Sequence, residues 1–377
     1  MIYLDYSATT PINKEVLESF EKASLEFIGN PNSLHKLGVN AKHLIDTATS
    51  QIANIMGVKS GEIIYTSGSS ESNNAAIKGI ALKYQNRGKH IITTKLEHSS
   101  VISPINYLQN NDYEIDFVEL DDNGQVDLNN LKKLLRDDTI LVSVSSVNSE
   151  VGILQPIAEI GKILKNYPKC FFHVDMTQSV GKVHIPLDNV DLASFSAHKF
   201  YGPKGIGVLI KKEDVMLEPL IHGGKSTTKF RSGTPALPLI VSLAKALRLA
   251  YNELESKYNY IKNLNNKIRE SLKQYTDVYI NSNASSIPHI LNLSILGVKP
   301  ETMLHALEEK DIYISTQSAC SSGGTSLAVM SVTNNVQRAS SSIRVSLSSL
   351  TTINEIEAFL KAFDECYKHL KFINDEN

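Results

Sequence analysis

Lys199 sits in the run SAHKFYGPKG at 196–205, with a serine and a histidine just before it and a glycine–proline turn after it. Upstream, FFHVDMTQS at 171–179 is an apolar run that ends in Asp175. A strand that closes on an aspartate and leads on to such a lysine is what pyridoxal phosphate requires. The cofactor needs a lysine amine for its Schiff base and a carboxylate to keep its pyridine nitrogen protonated. Without that proton the ring is a poor electron sink.

Other runs supply what such a site lacks. TSGSSESNN at 66–74 falls between a predicted strand and a predicted helix. Small hydroxyl residues around one glycine at a helix start offer free N–H groups and a favourable dipole to an anion. The same run also reads as a serine N-cap with a turn glycine; Ser196 and His198 beside Lys199 favour phosphate. It is not a nucleotide P-loop, whose Gly-x-x-x-x-Gly-Lys-Ser/Thr spacing is absent. His98 follows a predicted strand directly, where it can stack on a flat ring, shuttle protons or cap the next helix. Asp175 at its strand end could equally cap the following turn. Arg344 alternates with apolar residues in SSIRVSL at 341–347. A buried guanidinium is costly unless it meets an anion, which is a substrate carboxylate or a structural partner. Arg231, in FRSGTP at 230–235, could serve a phosphate or carboxylate, or order its loop.

The chain has three cysteines, too few and too scattered for a disulfide framework or a Cys-x-x-Cys metal site. Cys170 heads an apolar strand and Cys366 lies in an amphipathic pattern, so both read as packing. Cys320 differs, lying in STQSACSSGGTS at 315–326, a polar stretch with no periodicity. That composition predicts an exposed loop, where a thiol is open to chemistry.

The elements that must position these groups alternate. Strands are predicted at 62–66, 90–94, 114–118, 140–145, 171–175, 192–196 and 207–210, and helices at 70–84, 99–109, 128–135 and 157–165. This alternation predicts an α/β domain with a mainly parallel or mixed sheet. After 237 the texture changes. One long helix-forming pattern, 239–275, leads into a smaller α+β domain with strands at 287–295, 312–315 and 343–347 and helices at 301–310 and 352–370.

At 377 residues the chain is long enough for two domains, and 42% hydrophobic with 21% charged residues excludes disorder. A net charge of −2 gives no general pull toward nucleic acid or membrane. With neither a transmembrane run nor a secretory signal in view, the expectation is a cytoplasmic protein with no stable metal site.

Taken in order, the motifs resemble the cysteine desulfurases of the NifS/IscS type, in the class V aminotransferase group. The matches run from YLDYSATTP (3–11) and GNPNSLH (29–35) through 66–73, Glu97-His98, 173–181 and 196–205. They continue with HGG (222–224), 231–234, SAC (318–320) and SIR (342–344). The resemblance implies a fold-type-I pyridoxal-phosphate transferase: a large mixed-sheet cofactor domain over 12–250, and a small α+β domain from 1–11 plus 251–377. It implies a homodimer. Lys199 would carry the cofactor, Asp175 its pyridine nitrogen and Gln178 its phenolic oxygen, with His98 stacked on the ring. Ser69, Ser70, Ser196 and His198 would hold phosphate, and Thr234 would reach across from the partner subunit. Arg344, helped by Asn30, would hold the carboxylate of L-cysteine. Cys320 would take the sulfur as a persulfide and pass it to an acceptor protein, an iron–sulfur scaffold or a tRNA-thiolating enzyme.

Two departures from the family pattern stand out. NSEVG at 148–152 replaces the usual Asn-Asn-Glu-x-Gly, so Ser149 takes the place of an asparagine that touches the ring oxygen; Gln178 or Asn148 is left to compensate. The usual Glu-Pro-Ser after the cysteine is also missing, and the local form resembles paralogues that serve tRNA thiolation. Two rivals stay open at this level: another fold-type-I enzyme with Cys320 incidental, and a non-catalytic paralogue.

Overall fold

Six of the seven strands of the main sheet run the same way, so their carboxyl ends share one edge. The computed structural model describes residues 1–224, 227–316 and 324–375. In spatial order the sheet is Ile63–Thr66, Gly207–Lys211, Leu192–Ser196, Phe171–Asp175, Thr139–Ser145, His90–Thr93 and Glu114–Phe117. Gly207–Lys211 is antiparallel to both its neighbours; the other pairings are parallel. The central strands Thr139–Ser145 and Leu192–Ser196 are buried along their whole length, as strands covered on both faces must be.

One face carries a core that includes Ile52, Val142, Phe172, Phe195 and Leu247; the other is covered through Ile77, Ile80, Ile105 and Leu209. Helix Lys36–Met56 buries Ala41, Ile45, Ala48, Ile52 and Met56, a three-to-four-residue stripe, against helix Leu237–Tyr251. A separate core gathers Leu4, Ile268, Leu291, Ile343, Phe359 and Phe363. Its antiparallel sheet is Ser342–Ser346, Ile290–Ile295 and Val278–Ile280. The amino terminus joins it: Ile2–Tyr3 pairs with Ile312–Tyr313, and Asp5 bridges Ser346.

Three expectations need correction. The helix-forming pattern 239–275 is two helices, Leu237–Tyr251 and Leu254–Leu272, because Glu253 turns left-handed at φ 57°. Lys257 Nζ secures the break by donating to the carbonyls of Leu249 and Asn252 at 2.9 and 2.6 Å. The strand expected from 287 starts at Ile290, since Ile287 donates its N–H to Gly152 O instead of a sheet neighbour. The strand expected over 312–315 ends at Tyr313, and Ser315 makes only an isolated bridge to Arg344.

Candidate active site

Five strand ends empty into one cavity of about 240 Å3. Beyond Thr66 come Ser69 and Ser70, beyond Thr93 His98, and beyond Ser145 Ser149. Asp175 ends the fourth strand with Gln178 just beyond it, and His198 and Lys199 follow Ser196; Ser69, Ser70, His98, Ser149, Asp175, Gln178, His198 and Lys199 line the cavity with Arg344, while Ser196 does not. Ligands in open α/β sheets bind at such carboxyl ends.

Lys199 ends a single 3-10 turn, Ala197–Lys199. The next residue but one, Tyr201, is held at φ 65° by donating its N–H to Thr10 Oγ1 at 2.7 Å. A left-handed tyrosine costs about 1 kcal/mol or more and persists only where its surroundings impose it. Lys199 Nζ donates to the carbonyls of Ser7 and Ala8 at 2.5 and 2.9 Å, so the amino-terminal segment fixes the amine.

Asp175 faces it across the cavity. Its Oδ2 accepts from Asn73 Nδ2 at 2.8 Å, and its Oδ1 accepts from the N–H and hydroxyl of Thr177 at 2.9 and 2.5 Å. The expected turn cap is therefore real, and occupies one oxygen. Asn73 also donates to Ser100 Oγ at 2.9 Å, while its own Oδ1 is buried without a partner. Asn73 lies inside a motif the sequence singled out, yet nothing in the sequence ties it to Asp175.

His98 caps helix Ser99–Gln109, its Nδ1 accepting the Ser100 N–H at 3.1 Å. With Nδ1 an acceptor, a neutral ring carries its proton on Nε2. Burial pulls this histidine below its usual range, Asp175 opposing and Lys199 assisting. His98 both caps the helix and lines the cavity, so neither sequence alternative displaces the other. His198 is pushed down to about 4 by burial and by the cations Lys199, Lys204 and Lys182.

Beyond Thr66 the N-cap of helix Ser69–Tyr84 is Gly68, with no side-chain cap. The serines thus do not consume the helix's free N–H groups. A Cβ on Gly207 would lie 2.6 Å from Gly68 Cα, and one on Gly68 3.4 Å from Ser196 Oγ, so loop and strand end are packed as one floor. Arg231 does not reach this cavity: its Nε donates to Glu71 Oε1 at 2.9 Å and orders the loop. Burial pushes Glu71 up, but Arg231 and Ser67 outweigh it and hold the carboxyl below its usual value.

Arg344 is buried to 2% exposure, with Nη2 on Asp5 Oδ1 and Nη1 on the Ser149 carbonyl, both at 2.9 Å. Its Nε is buried without a partner. Gln178 lines the cavity and is buried. Asn148 does not line it: Nδ2 donates to Leu96 O and Oδ1 accepts from Glu150 and Val151, so its amide holds the loop. Of the two residues left to compensate for Ser149, Gln178 lines the cavity and Asn148 does not. Asn30 is exposed and turns its own loop by accepting the Asn32 N–H at 2.9 Å. Thr234 lines a separate small pocket with Ser67 and Arg231. Cys320 lies outside the described residues. Cys170 and Cys366 are buried, as expected of packing thiols.

Glu97, quoted only as part of a motif, proves to be a strap. It accepts from Thr94 Oγ1 at 2.8 Å, from Ser145 N at 3.0 Å and from the Ser145 hydroxyl, tying the His98 turn to the neighbouring strand. Burial outweighs these donors and, with Asp175 nearby, pushes the carboxyl up to about 7. A raised carboxyl binds a proton in the folded state that the unfolded state has lost. Stability therefore falls as pH rises from the unfolded value near 4.5 to about 7, and levels off above. Glu97→Gln should remove that slope: the melting-temperature difference between variant and wild type should grow in the variant's favour from pH 4.5 to 7.5. A difference independent of pH would contradict the assignment.

The sequence matches the class-V aminotransferase family over residues 2–359. The chain belongs to that family. Within it, the chain is 41% identical to a cysteine desulfurase IscS of Dictyoglomus turgidum over 379 residues, 99% of this chain and 96% of the relative. It also superposes on a NifS-like protein with a TM-score of 0.92 at 34% identity, covering 98% and 99% of the two chains. A structure described as SspA in complex with cysteine matches at TM-score 0.82 and 30% identity, over 93% of this chain and all of the other.

Enzymes of this class-V family use pyridoxal phosphate, and the residues here fit it. The donor set has a lysine amine, a carboxylate held by three donors, and an uncapped helix N-terminus floored by Gly68, Gly207 and Ser196. Among the described residues no cluster of metal-ligating side chains occurs, and no helix is long and apolar enough to cross a membrane.

Proposed function

We propose that this cysteine desulfurase removes the sulfur of L-cysteine through Cys320, releases L-alanine and passes the sulfur to an acceptor protein. One observation carries the residue roles: Lys199, Asp175, His98 and Arg344 all face a single cavity whose floor is an open helix N-terminus.

Joined to Lys199, pyridoxal phosphate supplies an electron sink for the bonds around the substrate's α-carbon. Asp175 keeps its pyridine nitrogen protonated, and Gln178 donates to its phenolic oxygen. Ser69, Ser70, Ser196 and His198 bind its phosphate, with Thr234 from a second subunit. Arg344 binds the substrate carboxylate and so sets which α-substituents point at Lys199. As a free amine, Lys199 Nζ would take the α-proton. The Cys320 thiolate then attacks the substrate Sγ. An S–S bond forms and the C–S bond breaks with its electron pair staying on Cβ; one proton delivered to Cβ and one returned to Cα by Lys199 would complete alanine. His98, which lines the cavity with Nδ1 taken by Ser100, would move a proton at the sulfur through Nε2.

The domain division at 12–250 against 1–11 plus 251–377 follows the two cores, with Ala250 in one and Ile261 in the other. A homodimer would cover Leu34, Leu37 and Val39, which stand exposed. The acceptor is an iron–sulfur scaffold or a tRNA-thiolating enzyme, and the compartment the cytoplasm.

The test is sulfide and alanine release from L-cysteine with a thiol reductant, for wild type beside Cys320→Ala. Equal yields of both products, absent in the variant, are expected. Full activity without the thiol would remove Cys320 from the reaction. Absent sulfide from cofactor-loaded wild type would overturn the reading itself.

A further inference from the structure

Lys182 has no place in the reaction just described, and it is buried to 8% exposure. It stands one residue beyond Gly181, whose φ of 73° turns the chain inward. A Cβ on Gly181 would lie 2.8 Å from Ala250 Cβ, so the turn is packed shut and the lysine cannot swing out with it. Lys182 lines a second cavity of about 230 Å3, which it shares with Lys199 and His289. The charges nearest to it, Lys199 and Arg344, have its own sign, and burial with them pushes Lys182 down to about 7. A lysine kept under such conditions is expensive and calls for a use.

Its Nζ donates to Gln178 Oε1 at 2.7 Å, and Gln178 Nε2 donates in turn to the Ser7 carbonyl at 2.9 Å. That same carbonyl accepts from Lys199 Nζ at 2.5 Å. The orientation of the amide follows from the partners alone. The Ser7 carbonyl only accepts, whereas the Lys182 amine can donate in either protonation state. Oε1 must therefore face Lys182, and Nε2 must face Ser7, leaving the second Nε2 hydrogen toward the cofactor cavity that Gln178 lines.

We propose that Lys182 is a positioning residue: by holding Gln178 Oε1 it makes this amide present a donor, not an acceptor, to the phenolic oxygen of the cofactor. The proposal rests on the role given to Gln178 above. The departure at Ser149 adds to its weight, because Asn148 is tied up in its loop and Gln178 is the amide left on that side of the cavity. Without Lys182 the amide is held from one side only, and a flipped amide sets oxygen against oxygen.

The test measures pyridoxal phosphate binding to apo-protein by its visible absorbance, with melting temperature read in parallel, for wild type, K182M, Q178A and the double variant. K182M should raise Kd about tenfold and shift the visible band, because one oriented hydrogen bond is lost. Its apo form should melt at or below wild type, since the gain from removing a buried amine is set against a Gln178 Oε1 left buried without its donor. Q178A should show a similar loss, and the double variant should bind no worse than either single one. K182Q, one bond shorter but still a donor, should fall between wild type and K182M, and is the second variant should K182M not fold. Wild-type affinity and spectrum in both lysine variants would overturn the proposal. So would losses that multiply in the double variant, the mark of a lysine that acts on the cofactor by a route other than Gln178. If Q178A itself binds the cofactor as wild type does, the failure lies in the Gln178 role, and the two outcomes are told apart by that single variant.

Discussion

Lys199→Ala should lower alanine formation from L-cysteine by about 10³-fold or more, even with pyridoxal phosphate in excess, and should abolish the visible band of the joined cofactor. Two functions are lost at once: the amine that holds the cofactor and the base that takes the α-proton. The fold should survive. Lys199 ends a short turn held by backbone bonds, Phe200 N–H to Ala197 O and Ala197 N–H to Ile206 O. Its side chain donates to the Ser7 and Ala8 carbonyls, outside those turn bonds. A variant that melts close to wild type and turns over within tenfold of it would remove Lys199 from the centre of the reaction. One that loses activity only with its fold would say nothing of chemistry, so the melting curve belongs in the same experiment.

The sequence carried most of the main sheet because its strands are short, β-branched and set between helices with clear ends. Phe171–Asp175 and Leu192–Ser196 lie where the pattern placed them, as does helix Ser99–Gln109. Helices Lys14–Glu26 and Lys36–Met56 drew no assignment. The first is largely exposed, and in the second the buried face is made of alanine and glycine as much as of isoleucine, which blunts the apolar contrast. The break at Glu253 was invisible because neither glycine nor proline marks it.

At the site, side-chain type and strand-end position were enough to find Lys199, Asp175 and His98. What the sequence could not carry were partnerships between distant segments. Asp5 on Arg344, Asn73 on Asp175 and Lys182 on Gln178 depend on which loops the fold brings together. Several of the paired alternatives were also false choices. Asp175 caps a turn with one oxygen and leaves the carboxylate facing the cavity, and His98 caps a helix while lining the same space. Local hydrogen bonds are how such groups are held still for chemistry, so finding a structural partner does not argue against a functional role.

Arg344 poses that question most sharply, because it is both an ion-pair partner of Asp5 and a wall of the cavity. Its strand, Ser342–Ser346, is buried throughout and paired with Ile290–Ile295, so the guanidinium cannot relocate. Two of its nitrogens are bonded at the rim, to Asp5 and Ser149, and Nε is left without an acceptor. Arg344→Ala should raise KM for L-cysteine by about 10²-fold, the worth of a charged carboxylate contact, with a smaller change in kcat. It should also destabilise the protein, since Asp5 loses its partner. The destabilisation alone would fit a purely structural arginine, and Asp5→Asn separates the two. That variant weakens the pair but keeps the guanidinium in place, so it should lower the melting temperature while moving KM only a few-fold. Arg344→Lys should fall between, keeping the charge without the planar fork. Should Asp5→Asn raise KM as far as Arg344→Ala does, the arginine acts through its strand and not on the substrate, and another cation must receive the carboxylate.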